Sequence, residues 1–437
     1  MRIQKLKLEN FRGFEELELD FPEGEGGLAV FVGENGSGKT SVLKAISYFF
    51  KYYTNILYYT DIRKEDELDG FILEKSLSFD IKKGENYFSN TITFNTLSNE
   101  FNSEIFIEES SRSINLSPPL DQVKHYFVNE DSNAVTKEEK KLRTLKNKLI
   151  SQPEIIVYYN VDRFVADEPS LKAKDITQIK KIDAFTNNFS SNISFDDFFE
   201  WFRNTEDYEN ELIRDKNDYN IRLDALESIR KTLEIFLPKY NSPRVRRQPR
   251  EQLVFKDNGH LLEIANLSHG ERLTFAIVGD IIRRLSIANP SLKNPCIGKG
   301  LVLIDEIEQH LHPSWQRTII FNLRKAFPNI QFIITTHSPQ VLSNVQRENV
   351  FILEKFKLVK NTPYTYGRDS NSLLWDLFGV TERPEHTKKE FSRFYRLMDD
   401  PSKDEDTQAL LNNLEEKYGK NDNAVMQARL HFEFMTR

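Results

Sequence analysis

The segment from Gly33 to Thr40 combines glycines, one lysine and one hydroxyl at a spacing that can hold a phosphate group. Its sequence, Gly-Glu-Asn-Gly-Ser-Gly-Lys-Thr, has the pattern G-x-x-x-x-G-K-[ST] and follows the apolar run 28–32. Glycines allow successive backbone N–H groups to curl around one anion. Lys39 supplies charge for the β- and γ-phosphates. An accidental lysine in a glycine-rich turn would need neither the strand before it nor the helix after it. We therefore predict an ATP site, with nucleotide-binding residues Gly33, Asn35, Gly36, Ser37, Gly38, Lys39, Thr40 and Ser41.

Two adjacent carboxylates follow a second apolar run. Residues 301–304 are all apolar, as in a parallel strand buried on both faces, and Asp305 and Glu306 come directly after them. This is the Walker B pattern, in which the first acid holds Mg²⁺ through water and the second polarises the attacking water. An acidic pair can end a strand by accident, but the phosphate loop makes accident a poor explanation. We predict Thr40 and Asp305 as the Mg²⁺ site and Glu306 as a catalytic residue.

A histidine follows a third apolar strand. The run 331–336 is succeeded by His337, Ser338 and Pro339. A serine at a helix N-cap with proline at the first helical position accounts for two of these residues but not for the histidine. An imidazole can hydrogen-bond both a γ-phosphate and the attacking water, and Thr-Thr-His-Ser-Pro at 335–339 resembles the switch segment of RecF- and OLD-type ATPase heads. We therefore predict His337, the switch histidine, as a second catalytic residue.

The sequence Leu-Ser-His-Gly-Glu at 267–271 begins an apolar helix and is similar to the L-S-x-G-x signature of ABC ATPases. Ser268 and Glu271 also have the S-x-x-E spacing of a capping box, which by itself only starts a helix. The two interpretations agree physically, since a serine at a glycine-flanked helix start offers a hydroxyl and free N–H groups to a phosphate. The resemblance implies that Ser268, Gly270 and Glu271 are signature residues that act on the nucleotide of a second copy.

The elements that must position these residues are indicated by hydrophobic periodicity. Alternating apolar residues at 17, 19 and 21 predict a half-buried strand, and 71–109 has the alternating segments of an antiparallel meander. The apolar run 155–159 predicts a buried strand. Residues 195–236 predict helices with an aromatic stripe that belongs to a core. The charged segment 130–150 predicts a solvated amphipathic helix.

Composition limits the class of protein. The chain has 437 residues, with 60 Lys and Arg against 67 Asp and Glu and a net charge of −7, so any nucleic-acid contact must be local. A single cysteine, Cys296, excludes an internal disulfide and fits a reducing compartment. No apolar run approaches the roughly 20 residues of a membrane span, and the first five residues lead into no signal-peptide core. We expect a cytoplasmic protein with no membrane contact.

The order of phosphate loop, signature, Walker B and switch histidine resembles the ABC-type ATPase heads of the RecF, SMC and OLD group. The resemblance implies an α/β fold, a P-loop ATPase head with a mixed, largely parallel sheet, an antiparallel β subdomain, a helical insertion and a helical C-terminal tail. It also implies a dimer or higher oligomer in which Ser268 of one copy and Lys39 of another meet at one γ-phosphate.

Two positions of these heads need separate comment. An arginine in the Asn-Phe-Arg-Gly turn tends to reach the nucleotide, which makes Arg12 a candidate nucleotide-binding residue; a solvated turn arginine is the alternative. ABC-type heads also carry a glutamine at the end of a strand between the phosphate loop and the signature. No glutamine follows the run 155–159, so the residue in that role stays open.

We expect four segments from these patterns. Residues 1–110 form an N-terminal ATPase lobe with antiparallel strands, and 111–250 form a mostly helical insertion or lid. Residues 251–358 form a C-terminal ATPase lobe, and 359–437 form a helical tail that docks a partner.

The tail motifs Tyr-Gly-Arg-Asp-Ser-Asn-Ser-Leu-Leu at 366–374 and Phe-Gly-Val-Thr-Glu-Arg-Pro at 378–384 are similar to the tail of PtuA. PtuA is the ATPase of the bacterial Septu antiphage system and is also found with some retrons. The resemblance implies an HNH nuclease partner, PtuB, docked on this tail; a tail for packing or dimerisation is the alternative. OLD-type nucleases add a Toprim domain, with a glutamate and a D-x-D pair of metal ligands, after the head. Here the acidic run 404–406 lies in a hydrophilic segment with no strand before it, so we expect no nuclease centre in this chain.

A basic segment lies between the helices and the signature. It contains Arg244, Arg246, Arg247 and Arg250, which suit a loop facing phosphates but are explained at least as well by pairing with carboxylates. DNA or a retron RNA–DNA is therefore a candidate partner. The alternative to a defence ATPase is a RecF-like repair ATPase that binds DNA itself. An ABC transporter subunit is a weaker option, since nothing indicates a membrane partner.

Overall fold

The computed structural model describes residues 1–22, 27–58, 82–83, 85, 87–96, 99–108, 153–163, 181–189, 195–257, 259–380, 382–399 and 404–435. The helix predicted at 130–150 and the first part of the predicted meander lie outside the described residues. The strands are β1 (Arg2–Glu9), β2 (Glu16–Asp20), β3 (Leu28–Val32), β4 (Tyr87–Thr96), β5 (Asn99–Glu108), β6 (Ile155–Tyr159), β7 (Asn241–Arg246), β8 (Gln252–Asp257), β9 (His260–Glu263), β10 (Gly300–Ile304), β11 (Ile330–Thr336), β12 (Val350–Glu354) and β13 (Lys357–Leu358). The helices are α1 (Lys39–Tyr58), α2 (Phe195–Lys216), α3 (Asp224–Phe236), α4 (His269–Ala288), α5 (Pro313–Gln316), α6 (Ile319–Ala326), α7 (Pro339–Leu342), α8 (Ser370–Phe378), α9 (Glu385–Met398), α10 (Asp404–Tyr418) and α11 (Asn423–Met435).

A six-stranded sheet, in the order β13-β12-β3-β11-β10-β6, carries the motif residues. Its neighbouring strands are parallel except for the β12–β13 pair. Strands β3, β6, β10 and β11 are buried along their whole length, which is why their sequences are nearly continuous apolar runs. Since parallel neighbours end at the same edge, the segments that follow β3, β10 and β11 meet there. These segments begin with the phosphate loop, the Walker B acids and the switch histidine.

An antiparallel sheet, in the order β2-β1-β4-β5, covers the first helix from the other side. Helix α1 contacts β4 of this sheet and both β10 and β11 of the central sheet. One buried amide also joins the sheets, because Gln331 accepts from the Ile3 N–H at 2.7 Å and donates to the Ile3 carbonyl at 3.0 Å. The predicted strand at 17–21 and the hairpin part of the predicted meander are confirmed as β2 and β4–β5.

Helices α2, α3 and α4 form a second layer, and the aromatic stripe of α2 belongs to its core, as predicted. Phe198 packs edge-on against Phe275 of α4, with ring centroids 5.2 Å apart. A Cβ on Gly279 would lie 2.8 Å from the Phe198 ring, so the two helices approach closely at this glycine. The helical stretch 195–236 is interrupted between α2 and α3. The predicted insertion 111–250 contains β6, a strand of the central sheet, and β7, which pairs with β8.

The chain divides into two compact units, Met1–Leu373 and Leu374–Arg437. In the second unit, helices α9, α10 and α11 all contact one another around a small core that includes Phe394, Leu414 and Ala428. The fold class predicted from the sequence is confirmed: a mixed, largely parallel sheet, an antiparallel β subdomain and a helical C-terminal region. Among the described residues, no helix is both long enough and apolar enough to cross a bilayer.

Buried charges join α4 to β6. Asp280 accepts from the Tyr159 hydroxyl at 2.8 Å, from Arg284 Nε at 2.7 Å and from Arg283 Nη2 at 2.8 Å. Burial opposes ionisation of Asp280, but Arg284 and Arg283 outweigh it and hold the pKa of this carboxyl at about 2. Because these charges are buried, removing one partner would leave an uncompensated charge in the interior and would lower the stability of the folded protein.

We predict that Asp280→Ala destabilises the protein by about 3–5 kcal/mol, because it leaves two buried guanidinium groups without their carboxylate. Urea unfolding followed by circular dichroism measures this. The control is Glu348→Ala, which removes the exposed partner of Arg347 and should cost less than about 1 kcal/mol. The Asp280 contribution in the unmodified chain is present above the unfolded pKa of about 3.9 and is lost as the pH falls towards 2. Equal effects of the two substitutions would contradict the assignment.

Candidate nucleotide-binding site

The side chain of Lys39, near the end of the phosphate loop 33–40, lies inside that loop. Its Nζ donates to the carbonyl oxygens of Gly33 at 2.9 Å and Glu34 at 2.8 Å, and its side chain is buried. Burial lowers the pKa of Lys39, against the opposing effect of Asp305 and Glu306. An anion bound in the loop would therefore lie beside the Lys39 ammonium, which the loop carbonyls already position.

The backbone of the loop is shaped by glycines and by an aromatic floor. Gly36 has φ +79° at the exposed tip beside Asn35, and Gly38 has φ +108°. A Cβ on Gly38 would lie 2.6 Å from the Phe14 ring and 2.8 Å from the Phe356 ring. These two rings pack edge-on with centroids 5.2 Å apart. Both come from turns, one after β1 and one after β12, and no local sequence pattern indicated this support.

A carboxylate and two hydroxyls lie where β3, β10 and β11 end. Asp305 Oδ1 accepts from the Thr335 hydroxyl at 2.5 Å and from the Thr40 hydroxyl at 3.1 Å. Asp305 Oδ2 is buried and has no hydrogen-bond partner among the described residues, and the same is true of Ser37 Oγ. Buried oxygens of this kind are costly unless a cation or water satisfies them. Thr40 and Asp305 therefore fit a hydrated Mg²⁺ ion, which prefers such oxygen ligands.

The backbone that carries Glu306 is held from two sides. Glu306 has φ +47°, and its N–H donates to the Thr335 hydroxyl at 2.7 Å. Arg163 Nη1 donates to the Asp305 carbonyl, and Nη2 donates to the Glu306 carbonyl at 2.6 Å. The Arg163 side chain is buried, and burial lowers its pKa to about 10, so it stays charged. Arg163 thus holds the turn that carries Glu306.

Arg163 was not predicted from the sequence, where its only signal was a charged residue soon after the strand-like run 155–159. The residue directly after β6 is Asn160, whose side-chain Oδ1 is buried and has no hydrogen-bond partner among the described residues. The expected glutamine is missing after β6, and Asn160 and Arg163 are polar residues that lie there instead.

His337 and Glu308 connect the switch strand to the segment after Walker B. Glu308 accepts from the Thr336 hydroxyl at 2.7 Å and from the His337 N–H at 2.5 Å. Burial raises the pKa of Glu308. Burial, and then the charge of Lys39, lower the pKa of the half-buried His337. The lowered pKa favours the neutral imidazole, which has one ring nitrogen as donor and the other as acceptor.

Arg12 lies beside the first turn of α1. Its Nη1 is 3.5 Å from Ser41 Oγ, and its guanidinium lies 5.7 Å from the centroid of the Phe11 ring. Arg12 has φ +54° in the turn after β1. The structure thus puts this predicted residue on the side of the phosphate loop, next to Ser41.

The signature segment forms the capping box expected from its sequence. The Ser268 N–H donates to Glu271 Oε2 at 2.8 Å, and the Glu271 N–H donates to Ser268 Oγ at 3.3 Å. Gly270 is required here because a Cβ at this position would lie 2.3 Å from the His310 carbonyl oxygen. The helix start therefore packs against the segment after Walker B, while Ser268 is exposed.

Most of the basic segment is engaged by carboxylates. Arg246 pairs with Glu263 at 2.5 Å, and Arg247 pairs with Asp207 at 2.5 Å. Arg250 lies 3.6 Å from Glu263, whereas Arg244 is exposed. This arrangement favours the pairing interpretation of the segment over a row of free cations.

Comparison with known proteins shows the family of this chain. The family model described as "AAA domain, putative AbiEii toxin, Type IV TA system" matches residues 28–343, which is more than half of the chain. The chain belongs to this family. A second AAA-domain model matches residues 1–53. The protein is thus a P-loop ATPase by family, and the matched region runs from β3 to the residues just after α7.

Several relatives are similar over most of the chain. The Retron Ec83 probable ATPase of Escherichia coli is 28% identical over 494 residues, covering 99% of this chain and 87% of the relative. The Retron Vc95 probable ATPase of Vibrio cholerae serotype O1 biovar El Tor is 28% identical, covering 86% of this chain and 78% of the relative. The Septu protein PtuA of Bacillus mycoides is 24% identical, covering 96% of this chain and 50% of the relative. The resemblance to PtuA and to retron ATPases is confirmed at modest identity.

Similar solved structures include an SMC head bound to the C-winged helix domain of ScpA. It has a TM-score of 0.44 and 14% identity and covers 83% of this chain and 98% of that one. The recombination mediator protein RecF-ATPrS has a TM-score of 0.39 and 12% identity, covering 82% of this chain and 97% of that one.

We predict that Arg163→Met lowers kcat for ATP at least about tenfold, because it removes two charge-assisted hydrogen bonds to the turn. The dissociation constant of a non-hydrolysable ATP analogue should change less than about threefold, since Arg163 lies under the turn rather than in the loop. Arg163→Lys, which can reach one carbonyl, is the matched control and should retain part of the activity. Steady-state turnover and analogue binding are measured together. Loss of analogue binding in Arg163→Met, or unchanged kcat, would show that the arginine does not position Glu306.

Proposed function

We propose that this chain is the ATPase of a bacterial antiphage defence system of the retron or Septu kind, which dimerises around ATP and controls a separate HNH nuclease. The observation that carries the proposal is the Thr40–Asp305–Thr335 cluster beside the lysine-bearing loop, in a chain similar along almost its whole length to a retron ATPase. The similarity to the Septu protein PtuA supports the same class of system.

The residues of the site divide the work of hydrolysis. The loop N–H groups and Lys39 hold the β- and γ-phosphates, and Thr40 and Asp305 hold Mg²⁺, which neutralises charge on the triphosphate. Glu306 orients and polarises the attacking water, from a turn held by Arg163. In its neutral form, which the lowered pKa favours, His337 accepts a hydrogen bond from that water or donates one to the γ-phosphate. Arg12, beside Ser41, adds positive charge near the phosphates.

We infer dimerisation from the exposed start of α4. Ser268 is exposed, and the hydrogen bonds described for it lie within the start of α4. Its hydroxyl and the free N–H groups of that helix start suit a γ-phosphate. We infer that this phosphate belongs to the nucleotide on Lys39 of a second copy, so that ATP joins two chains and hydrolysis releases them.

The nuclease partner is proposed to dock on the second unit. Helix α11 buries Val425, Ala428 and Phe432, yet its other face exposes Leu430 by 64% and Phe434 by 80%. With Met426, these residues recur every four positions and form an apolar stripe along the exposed face. Such a stripe suits a partner helix or groove better than it suits water.

A RecF-like repair function has less support. The similarity to RecF of Lactococcus lactis is 44% identity over 48 residues, which is 11% of this chain. Carboxylates also engage most of the arginines that such a function would use on DNA.

We predict that Glu306→Gln traps an ATP-bound dimer, because the nucleotide is bound but the water is not polarised. Lys39→Ala should bind no ATP and should stay in its nucleotide-free assembly state. Size-exclusion chromatography with light scattering, with ATP and Mg²⁺, measures the mass of both variants. Unchanged turnover in Glu306→Gln would remove this residue from catalysis, and an ATP-induced mass increase in Lys39→Ala would contradict the site.

Docking on α11 is tested separately by co-expression with a small HNH nuclease from the same operon. Leu430→Asp combined with Phe434→Asp should abolish co-purification, because both changes place charge in the apolar stripe. The control is Tyr219→Asp, since Tyr219 is 77% exposed and lies between α2 and α3. Retention of the nuclease by the α11 variant, or its loss from the Tyr219 variant, would place the interface elsewhere.

A further inference from the structure

A cleft of about 610 Å³ lies at the edge of the central sheet opposite the phosphate loop. Leu28, at the start of β3, lines it, whereas the loop follows the end of the same strand. The other walls come from α6 and from the turns before β11 and β12. At about 3.3 Å per residue, the five residues of β3 put roughly 16 Å between this cleft and the ATP site.

The charge of the cleft has one sign. Arg324 and Lys325 line it, both are exposed, and neither forms an ion pair with any described residue. No Asp or Glu belongs to the described lining. The neighbouring Arg347, by contrast, is paired with Glu348 and lies over the Tyr364 ring at 4.5 Å. In a chain with net charge −7, the cleft is thus a local site for anions.

Two exposed rings share the cleft with these cations. Phe321 and Tyr366 are each 63% exposed. Phe321 is three residues before Arg324 and four before Lys325, so α6 presents the ring and both charges on one face. Tyr366 is held by its neighbours, because Thr365 donates to the Val345 carbonyl at 2.5 Å and the Gly367 N–H donates to a carbonyl at 2.8 Å.

We propose that this cleft binds a nucleotide unit other than the hydrolysed ATP. Its base lies against Phe321 and Tyr366, and its phosphate lies against Arg324 and Lys325. Gln346 and Asn329 also line the cleft. Asn329 Nδ2 donates to the Ile297 carbonyl at 2.6 Å, so Asn329 Oδ1 and the Gln346 amide are the groups that can hydrogen-bond the base. Aromatic faces beside unpaired cations are the pattern by which proteins hold single-stranded nucleic acid, and the volume also admits a free nucleotide. An acidic peptide would pair with the two cations but would give the two aromatic rings nothing to stack on. This site goes beyond the proposed ATPase function.

Binding is tested on the full chain carrying Lys39→Ala, so that the ATP site is silent. The probes are a fluorescein-labelled (dT)12 strand, read by fluorescence anisotropy, and unlabelled dTMP and AMP as competitors. In this background, Arg324→Glu combined with Lys325→Glu should weaken binding at least tenfold. The same variant should flatten the salt dependence by about 0.7 for each phosphate that it no longer neutralises. Phe321→Ala and Tyr366→Ala should each weaken binding at least fivefold.

The control is Arg244→Glu combined with Arg250→Glu, which alters the basic segment before the signature and should leave the affinity within about twofold. Competition by dTMP or AMP identifies a free nucleotide as the ligand, and its absence identifies a strand; both support the site. No binding of any probe, binding unchanged by the cleft variants, or a poly-glutamate peptide that binds equally well in the ring variants would overturn it. ATP-dependent dimerisation is measured on separate variants, so the two proposals can fail independently.

Discussion

A single buried carboxylate organises the ATPase head. Asp305 accepts hydrogen bonds from the hydroxyls of Thr40 and Thr335. Thr335 lies on β11, Asp305 follows β10, and Thr40 lies in the segment that follows β3. They can meet only because β3, β11 and β10 lie side by side and run in the same direction. The parallel register thus turns three distant parts of the sequence into one edge. Asp305 Oδ2 is buried and has no hydrogen-bond partner among the described residues, so this edge has a carboxylate oxygen to offer to a cation.

The layers on each side of the sheet support that edge. On one side, α1 is held between two sheets, and Phe14 and Phe356 support the loop beneath Gly38. On the other side, Asp280 couples the signature helix α4 to β6 through the Tyr159 hydroxyl. The next residues after β6 then reach Walker B through Arg163. Helix α4 and the turn that carries Glu306 are therefore linked through the segment 159–163, which makes a buried polar contact with each of them.

The basic residues of this acidic chain have two different fates. Those in the segment before the signature are largely paired with carboxylates, which gives them a structural role. Those of α6 have no ion pair with any described residue and lie beside exposed rings. Charge number alone could not distinguish the two groups, because both read as arginines and lysines near apolar residues. Pairing depends on which acidic side chains the fold brings within reach.

The sequence by itself determined the motifs whose chemistry is local. A phosphate loop needs its glycines, lysine and threonine within eight residues, and a buried parallel strand needs a continuous apolar run. The family, the strands that carry the site and the capping box at Ser268 could all be predicted for this reason. The segment boundaries and the partner assignments stay predictions.

Only the tertiary structure decided which side chains support those motifs. Arg163 lies 142 positions before the Walker B aspartate that it contacts, and Phe14 meets Phe356 from the other end of the head. Asn160 lies directly after β6, where the expected glutamine is missing from the sequence. The cleft is formed by α6 together with a turn near residue 366. Contacts of this kind have no fixed spacing along the chain, so no local pattern records them. They follow from the order and direction of the strands, which the packing of the whole head sets.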